Sequence, residues 1–162
     1  MVDSLAEQRT AMGPFFCDVI LAFIASAYGQ VQKWDDGLRR ANEGIELTRT
    51  YVERIYAAEL WRIKGELLFG KAKSSRRRKE TKTGQLDAVA RQCFRRALEI
   101  AEQQEARSLA LRSGMSLARS SARDEGRQEA HDLLASIYGS FTEGFDTRDL
   151  IEAKALLEEL KR

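Results

Sequence analysis

Proline occurs once, histidine once and cysteine twice in 162 residues. Each scarcity excludes something. A single histidine removes every site that needs two. Cys17 and Cys93 lie far apart and form neither a metal-ligand nor a redox spacing. Valine, isoleucine and threonine together supply 20 residues. A sandwich or barrel needs many β-branched strands and turns, so neither is expected. The longest apolar run, Val19 to Ala25, is too short to span a bilayer and follows Asp18 directly. No charged stretch with an apolar one behind it opens the sequence, so a secretory leader is not expected and the expected compartment is the cytoplasm.

What is abundant points the other way. Alanine, glutamate, leucine, lysine and arginine account for 82 of the 162 residues. Half a chain in these five types, when helically periodic, marks long helices. The expected fold is all-α. Net charge is +2, unevenly spread. Lys71, Lys73, Arg76, Arg77, Arg78, Lys79 and Lys82 face one acid, Glu80, which makes that segment +6 and leaves −4 elsewhere. Almost no apolar residue interrupts it, so it reads as a basic loop inserted over about 71–84.

Helical periodicity runs through the rest. Phe15–Gln30, Trp34–Thr50, Tyr51–Phe69, Leu86–Gln104, Ala106–Ser121 and Gln128–Ser140 each carry apolar residues at spacings of three and four. Thr147 reads as the cap of a last helix, with Leu150, Ala153, Leu156, Leu157 and Leu160 on one side. Pro14 suits the first turn of the helix that follows it.

Small residues supply a ruler, because they let two helix backbones approach closely. Leu21-x-x-Ile24-Ala25-x-x-Tyr28 is followed by Gly37-x-x-x-Ala41-x-x-Gly44. Trp61-x-x-Lys64-Gly65-x-x-Leu68 is followed by Ala90-x-x-x-Phe94-x-x-Ala97. Gly114-x-x-Leu117-Ala118-x-x-Ser121 is followed by Ala130-x-x-x-Leu134-x-x-Ile137. The step within a pair is 12 in the first and third pairs and 25 in the second. From Ala25 to Gly65 is 40, and from Gly65 to Ala118 is 53. One insertion of 13 residues in the basic stretch reconciles all of these to a period of 40.

The pattern resembles the tetratricopeptide repeat, W-x-x-L-G-x-x-Y then A-x-x-x-F, lengthened and without its closing proline. That resemblance implies a right-handed α-solenoid of stacked antiparallel helix pairs. Residues 1–162 then form one domain. Its helix-pair repeats lie at 18–51, 58–104 and 111–144, residues 1–12 are the tail of a preceding repeat, and 147–162 form a C-terminal capping helix. Core residues should include Leu21, Ala25, Tyr28, Leu38, Ala41, Leu60, Trp61, Gly65, Phe94, Ala97, Leu117, Ala118, Ala130, Leu134, Leu156 and Leu157.

The wording of Ala58-Glu-Leu-Trp-Arg-Ile-Lys-Gly-Glu-Leu-Leu68, Ala97-Leu-Glu-Ile-Ala101 and Tyr138-Gly-Ser-Phe-Thr-Glu-Gly-Phe-Asp-Thr-Arg-Asp-Leu150 is similar to a further family. This is the C-terminal repeat region of large bacterial signalling proteins with P-loop ATPase and class III adenylate or guanylate cyclase modules. Arg148 stands where that family commonly has proline. The resemblance implies an interaction or regulatory segment of a longer protein. Neither upstream module lies in this sequence, so none of their activity transfers.

Catalytic signals are thin. Gly65-Glu-Leu-Leu-Phe-Gly70-Lys71-Ala72 nearly fits a P-loop, but Ala72 cannot ligate Mg²⁺ and bulky residues fill the phosphate cradle. His131 has no histidine or cysteine near it in sequence and reads as structural. No catalytic residue, metal site or cofactor is expected. The basic loop could hold nucleic acid or an acidic surface, although no aromatic is interleaved for base stacking. The favoured site is an inner groove lined by Lys33, Arg62, Arg112, Met115, Arg119 and Arg123. The arginines of its last helix have no acid at helical offsets within that helix, which suits an acidic protein or peptide partner, or an upstream module of the parent chain. Self-association through the N-terminal end is a further expectation.

Overall fold

The computed structural model describes residues 17–50, 56–77, 83–122 and 126–161. They form seven α-helices and, among the described residues, no strand. These are α1 (Cys17–Gln30), α2 (Trp34–Thr50), α3 (Ala57–Arg77), α4 (Thr83–Gln103), α5 (Arg107–Ser121), α6 (Arg127–Gly139) and α7 (Arg148–Leu160). The expected tail at 1–12, with Phe15 and Phe16, lies outside the described residues.

Consecutive helices pack against each other, and α1, α3, α5 and α7 also touch in series. Short turns make this possible. After α1, Gln32 takes a left-handed backbone (φ 58°) while Lys33 N donates to Tyr28 O at 2.9 Å. After α4, Glu105 repeats the conformation (φ 53°) and Ala106 N donates to Ala101 O at 2.8 Å. Both turns satisfy carbonyls that a helix end would otherwise leave unpaired.

The small-residue ruler sits where the helices cross. A Cβ on Gly37 would lie 3.1 Å from Ala25 O, and one on Gly44 would lie 2.6 Å from Leu60. Gly65 lies under the Phe94 ring, and a Cβ on Gly114 would come within 2.9 Å of Ile137. Four apolar clusters follow the crossings. Thirteen of the sixteen expected core residues are buried; Tyr28, Leu38 and Trp61 are half-buried. Leu38 and Trp61 pack on the cluster margins, and the Lys64 ammonium stands 4.9 Å over the Trp61 ring.

Two expectations need correction. The basic segment is not a loop over its first half: Lys71, Lys73, Arg76 and Arg77 belong to α3, and 83–84 open α4. Ala72 and Ser75 are buried and continue the stripe from Leu68, so the helix keeps a packing face there. The cations are also held, Lys71 by Asp35, Arg76 by Asp87, and Lys73 4.5 Å over the Phe69 ring. Arg78, Lys79 and Lys82 lie outside the described residues. The second correction concerns Thr147. It occupies the N-cap position with extended backbone, but its hydroxyl donates to Gly144 O at 2.7 Å and does not cap the helix.

Candidate interaction face

Along α3, Glu59, Arg62 and Glu66 share one side at offsets of three and four. Arg62 Nε and Nη2 donate to the two carboxylate oxygens of Glu59 at 2.8 and 2.6 Å, and Nη1 reaches Glu66. Burial opposes the charge on Arg62, but the hydrogen bonds and charges of both glutamates more than offset it and raise its pKa above the ordinary guanidinium value. Ser116 of α5 donates to the same Glu66 at 3.2 Å, which ties the two helices together.

The arginines of α5 are engaged as well. Arg112 Nε donates to Asp149 at 2.6 Å, and Arg119 Nη2 donates to Glu152 at 3.1 Å. Arg148 adds a second bond to Glu152 at 2.7 Å. The hydrogen bond from Arg148, then that from Arg119, hold the Glu152 carboxyl below the usual range. The expected free row of arginines is therefore corrected. Its acids come from α7, more than thirty residues away, where no within-helix offset could reveal them. Met115 is buried and offers no groove contact. Lys33 stays exposed in the turn after α1, and Arg123 lies outside the described residues.

Beside the ladder is a hollow of about 310 Å³ between α1, α3 and α5. Phe23, Tyr56, Ile63 and Leu109 wall it, and Ser26, Glu59 and Arg112 stand at its rim. Phe23 is 67% exposed. It belongs to an apolar stripe of α1 that periodicity alone did not single out. Ile20 is 38% exposed and Val31, just past the helix, 64%, with Ala27 exposed between them. The sequence did carry a signal: Val19 to Gln32 contains no charged residue. A helix apolar all round is normally buried all round.

A larger hollow of about 880 Å³ opens elsewhere, over Ile45, Trp61, Ile100 and Leu109. Its two arginines, Arg49 and Arg96, pair with Glu46 and Glu99 of their own helices.

The weaker chemical signals resolve into packing. The P-loop-like stretch is continuous helix, with Gly65 accommodating Phe94 and Gly70 the Trp34 ring. His131 Nδ1 lies 3.0 Å from its neighbour Asp132, and its buried Nε2 has no hydrogen-bond partner. Among the described residues no three potential ligands converge on a metal position. Burial raises the Cys93 thiol pKa, with Lys64 acting weakly against it. No described helix is long and apolar enough to cross a membrane. Compared with protein-family models, curated proteins and solved structures, the chain matches none.

Proposed function

We propose that this chain is a protein-interaction module built as a tetratricopeptide-like stack of helix pairs, serving as a regulatory scaffold segment of a bacterial signalling protein. The signalling context rests on the sequence resemblance alone. The stack is supported by the serial contact of α1, α3, α5 and α7, with α2, α4 and α6 each touching both of the odd-numbered helices that flank it in sequence. One observation carries the binding role. Helix α1 presents an uncharged apolar stripe with Phe23 at its centre, and that ring also forms the lip of the hollow over α3 and α5. Exposed apolar surface of this kind marks a docking site in a folded chain.

A partner engaging this face is recognised by shape and apolar contact. Arg62, Arg112 and Arg119 already have carboxylate partners, so an acidic segment would have to compete for them. The nucleic-acid alternative is weakened similarly, since Lys71, Lys73 and Arg76 are held by Asp35, Phe69 and Asp87. The test is photo-crosslinking from benzoylphenylalanine placed at position 23. A discrete higher-mass product that disappears when Ala27 is changed to glutamate supports docking at this stripe. Failure to crosslink any protein in the native host extract or in concentrated pure protein refutes it.

A further inference from the structure

The 40-residue period gives the α1 stripe a precedent inside the molecule. One period beyond Ile20, Phe23 and Ala27 stand Leu60, Ile63 and Leu67 of α3, all buried. They are covered by the preceding helix pair: Gly44 of α2 sits on Leu60, while Gly29 of α1 and Gly37 of α2 sit on Leu67. A further 53 residues on stand Ser113, Ser116 and Ser120 of α5, buried in turn. The same three positions are covered in the second and third pairs and open in the first.

We infer that a second copy of this chain covers the stripe, with the two α1 helices packed antiparallel about a twofold axis level with Ala25. The inference rests on the proposed interaction role of this face and names its partner. Three observations favour a copy. The stripe carries no charge, so a strongly charged partner gains nothing there, whereas an equally uncharged α1 matches it. The surface is also self-complementary. Antiparallel pairing about Ala25 sets Phe23 level with the small Ala27 of the partner, large against small at the centre, and Ile20 level with its Gln30, one residue short of Val31, so the two apolar ends lie within a helical turn of each other. An isologous contact requires this kind of self-match. Finally, α7 exposes Lys154, Glu158, Glu159 and Lys161 around Ile151, so its outer side is charged and matches the uncharged α1 stripe less well than a second α1 does. The contact extends the side-by-side packing of α1, α3 and α5 across the axis.

The experiment is sedimentation equilibrium of the full chain over a wide concentration range, with far-ultraviolet circular dichroism to check folding. The wild type should be dimeric, and Phe23→Glu should weaken the dimer by about a hundredfold or more while keeping the helical signal, because Phe23 is exposed. Register is read in a Cys17→Ser, Cys93→Ala background by mixing Phe23→Cys and Ala27→Cys chains. Heterodisulfides should form well ahead of either homodisulfide. A dimer that persists in both Phe23→Glu and Ala27→Glu overturns the inference, as does dominance of homodisulfides. A strictly monomeric wild type also overturns it. If removal of residues 1–12 then produces the dimer, that segment is the cover. If position 23 instead crosslinks a different protein, the copy is wrong and the interaction reading stands. If it crosslinks nothing, both fall.

Discussion

Gly65 decides whether two helices can approach as closely as α3 and α4 do. An ideal Cβ there would lie 2.6 Å from Phe94 Cδ1 and 3.0 Å from Cζ. Real Cβ atoms essentially never come that close, so Gly65→Ala must displace the ring. Phe94 is 1% exposed and sits within the cluster of Leu68, Ala90, Cys93 and Leu117, which leaves it no free direction. Overpacking of this sort costs about 1–3 kcal/mol. Against it stands the helix preference of alanine over glycine, about 1 kcal/mol in favour of the substitution. The expected net is a loss of about 1 kcal/mol, or a fall in Tm of about 2–4 °C for a chain of this size. Gly84→Ala isolates the second effect, since no atom lies within 4 Å of a Cβ at that helical position. It should raise Tm where Gly65→Ala lowers it. Phe94→Leu is destabilising alone, yet combined with Gly65→Ala it should recover about 1–2 kcal/mol relative to additivity, the range seen for contacting residues. Urea titrations of the four proteins of that cycle supply the numbers. If Gly65→Ala and Gly84→Ala stabilise equally, the close crossing is not what holds glycine at position 65.

Arg62→Met should cost about 1.5–3 kcal/mol by urea denaturation, because it leaves Glu59 and Glu66 facing each other without their shared charged donor; a neutral result would mean the ladder is ornamental. The Cys93 thiol, raised by burial, should resist iodoacetamide at pH 8 until the protein unfolds, whereas half-buried Cys17 reacts first; mass spectrometry of time points separates them. Glu152 titrates below its unfolded value, so its contribution is present above the ordinary glutamate range and is lost as pH falls through the lower folded value. The Tm gap between wild type and Glu152→Gln should therefore be widest at neutral pH and close towards pH 3, and a gap independent of pH would contradict the pairing with Arg148 and Arg119.

Helix order was legible because each buried stripe recurs at short spacing: Ala90, Phe94 and Ala97 declare α4 without help from elsewhere. The glycines at the crossings were legible for the same reason, since Gly37, Gly65 and Gly114 stand at fixed distances from other small residues. The extension of α3 to Arg77 was hidden by composition. Seven cations outweigh Ala72 and Ser75 in any local average, yet those two small residues and the aliphatic stems are enough to keep the helix packed. The pairing of the α5 arginines was not legible because charge pairing is not local. Arg112 and Arg119 find Asp149 and Glu152 only after the chain has turned twice. Met115 was misplaced by the same blindness, since which side of α5 faces inward depends on where α6 and α7 lie.

The serine-rich face of α5 bears on how the molecule comes apart. Ser113, Ser116, Ser120 and Ser121 are buried where α3 buries leucine and isoleucine. Ser120 returns its hydroxyl to Leu117 O, Ser116 gives its hydroxyl to Glu66, and the Ser113 hydroxyl has no hydrogen-bond partner. Leu117 still packs with Leu68 and Phe94 here, but the serine positions lose less on wetting than Leu60, Ile63 and Leu67 would, since hydroxyls accept water and methyl groups do not. In the proposed stack each helix pair shares stability mainly with its neighbours, so a soft seam would divide it into cooperative units. Native-state hydrogen exchange should accordingly show α5, α6 and α7 opening together at lower free energy than α1 to α4. The C-terminal third would then sample detachment while the N-terminal pairs remain folded, giving the stack a hinge that no loop residue provides.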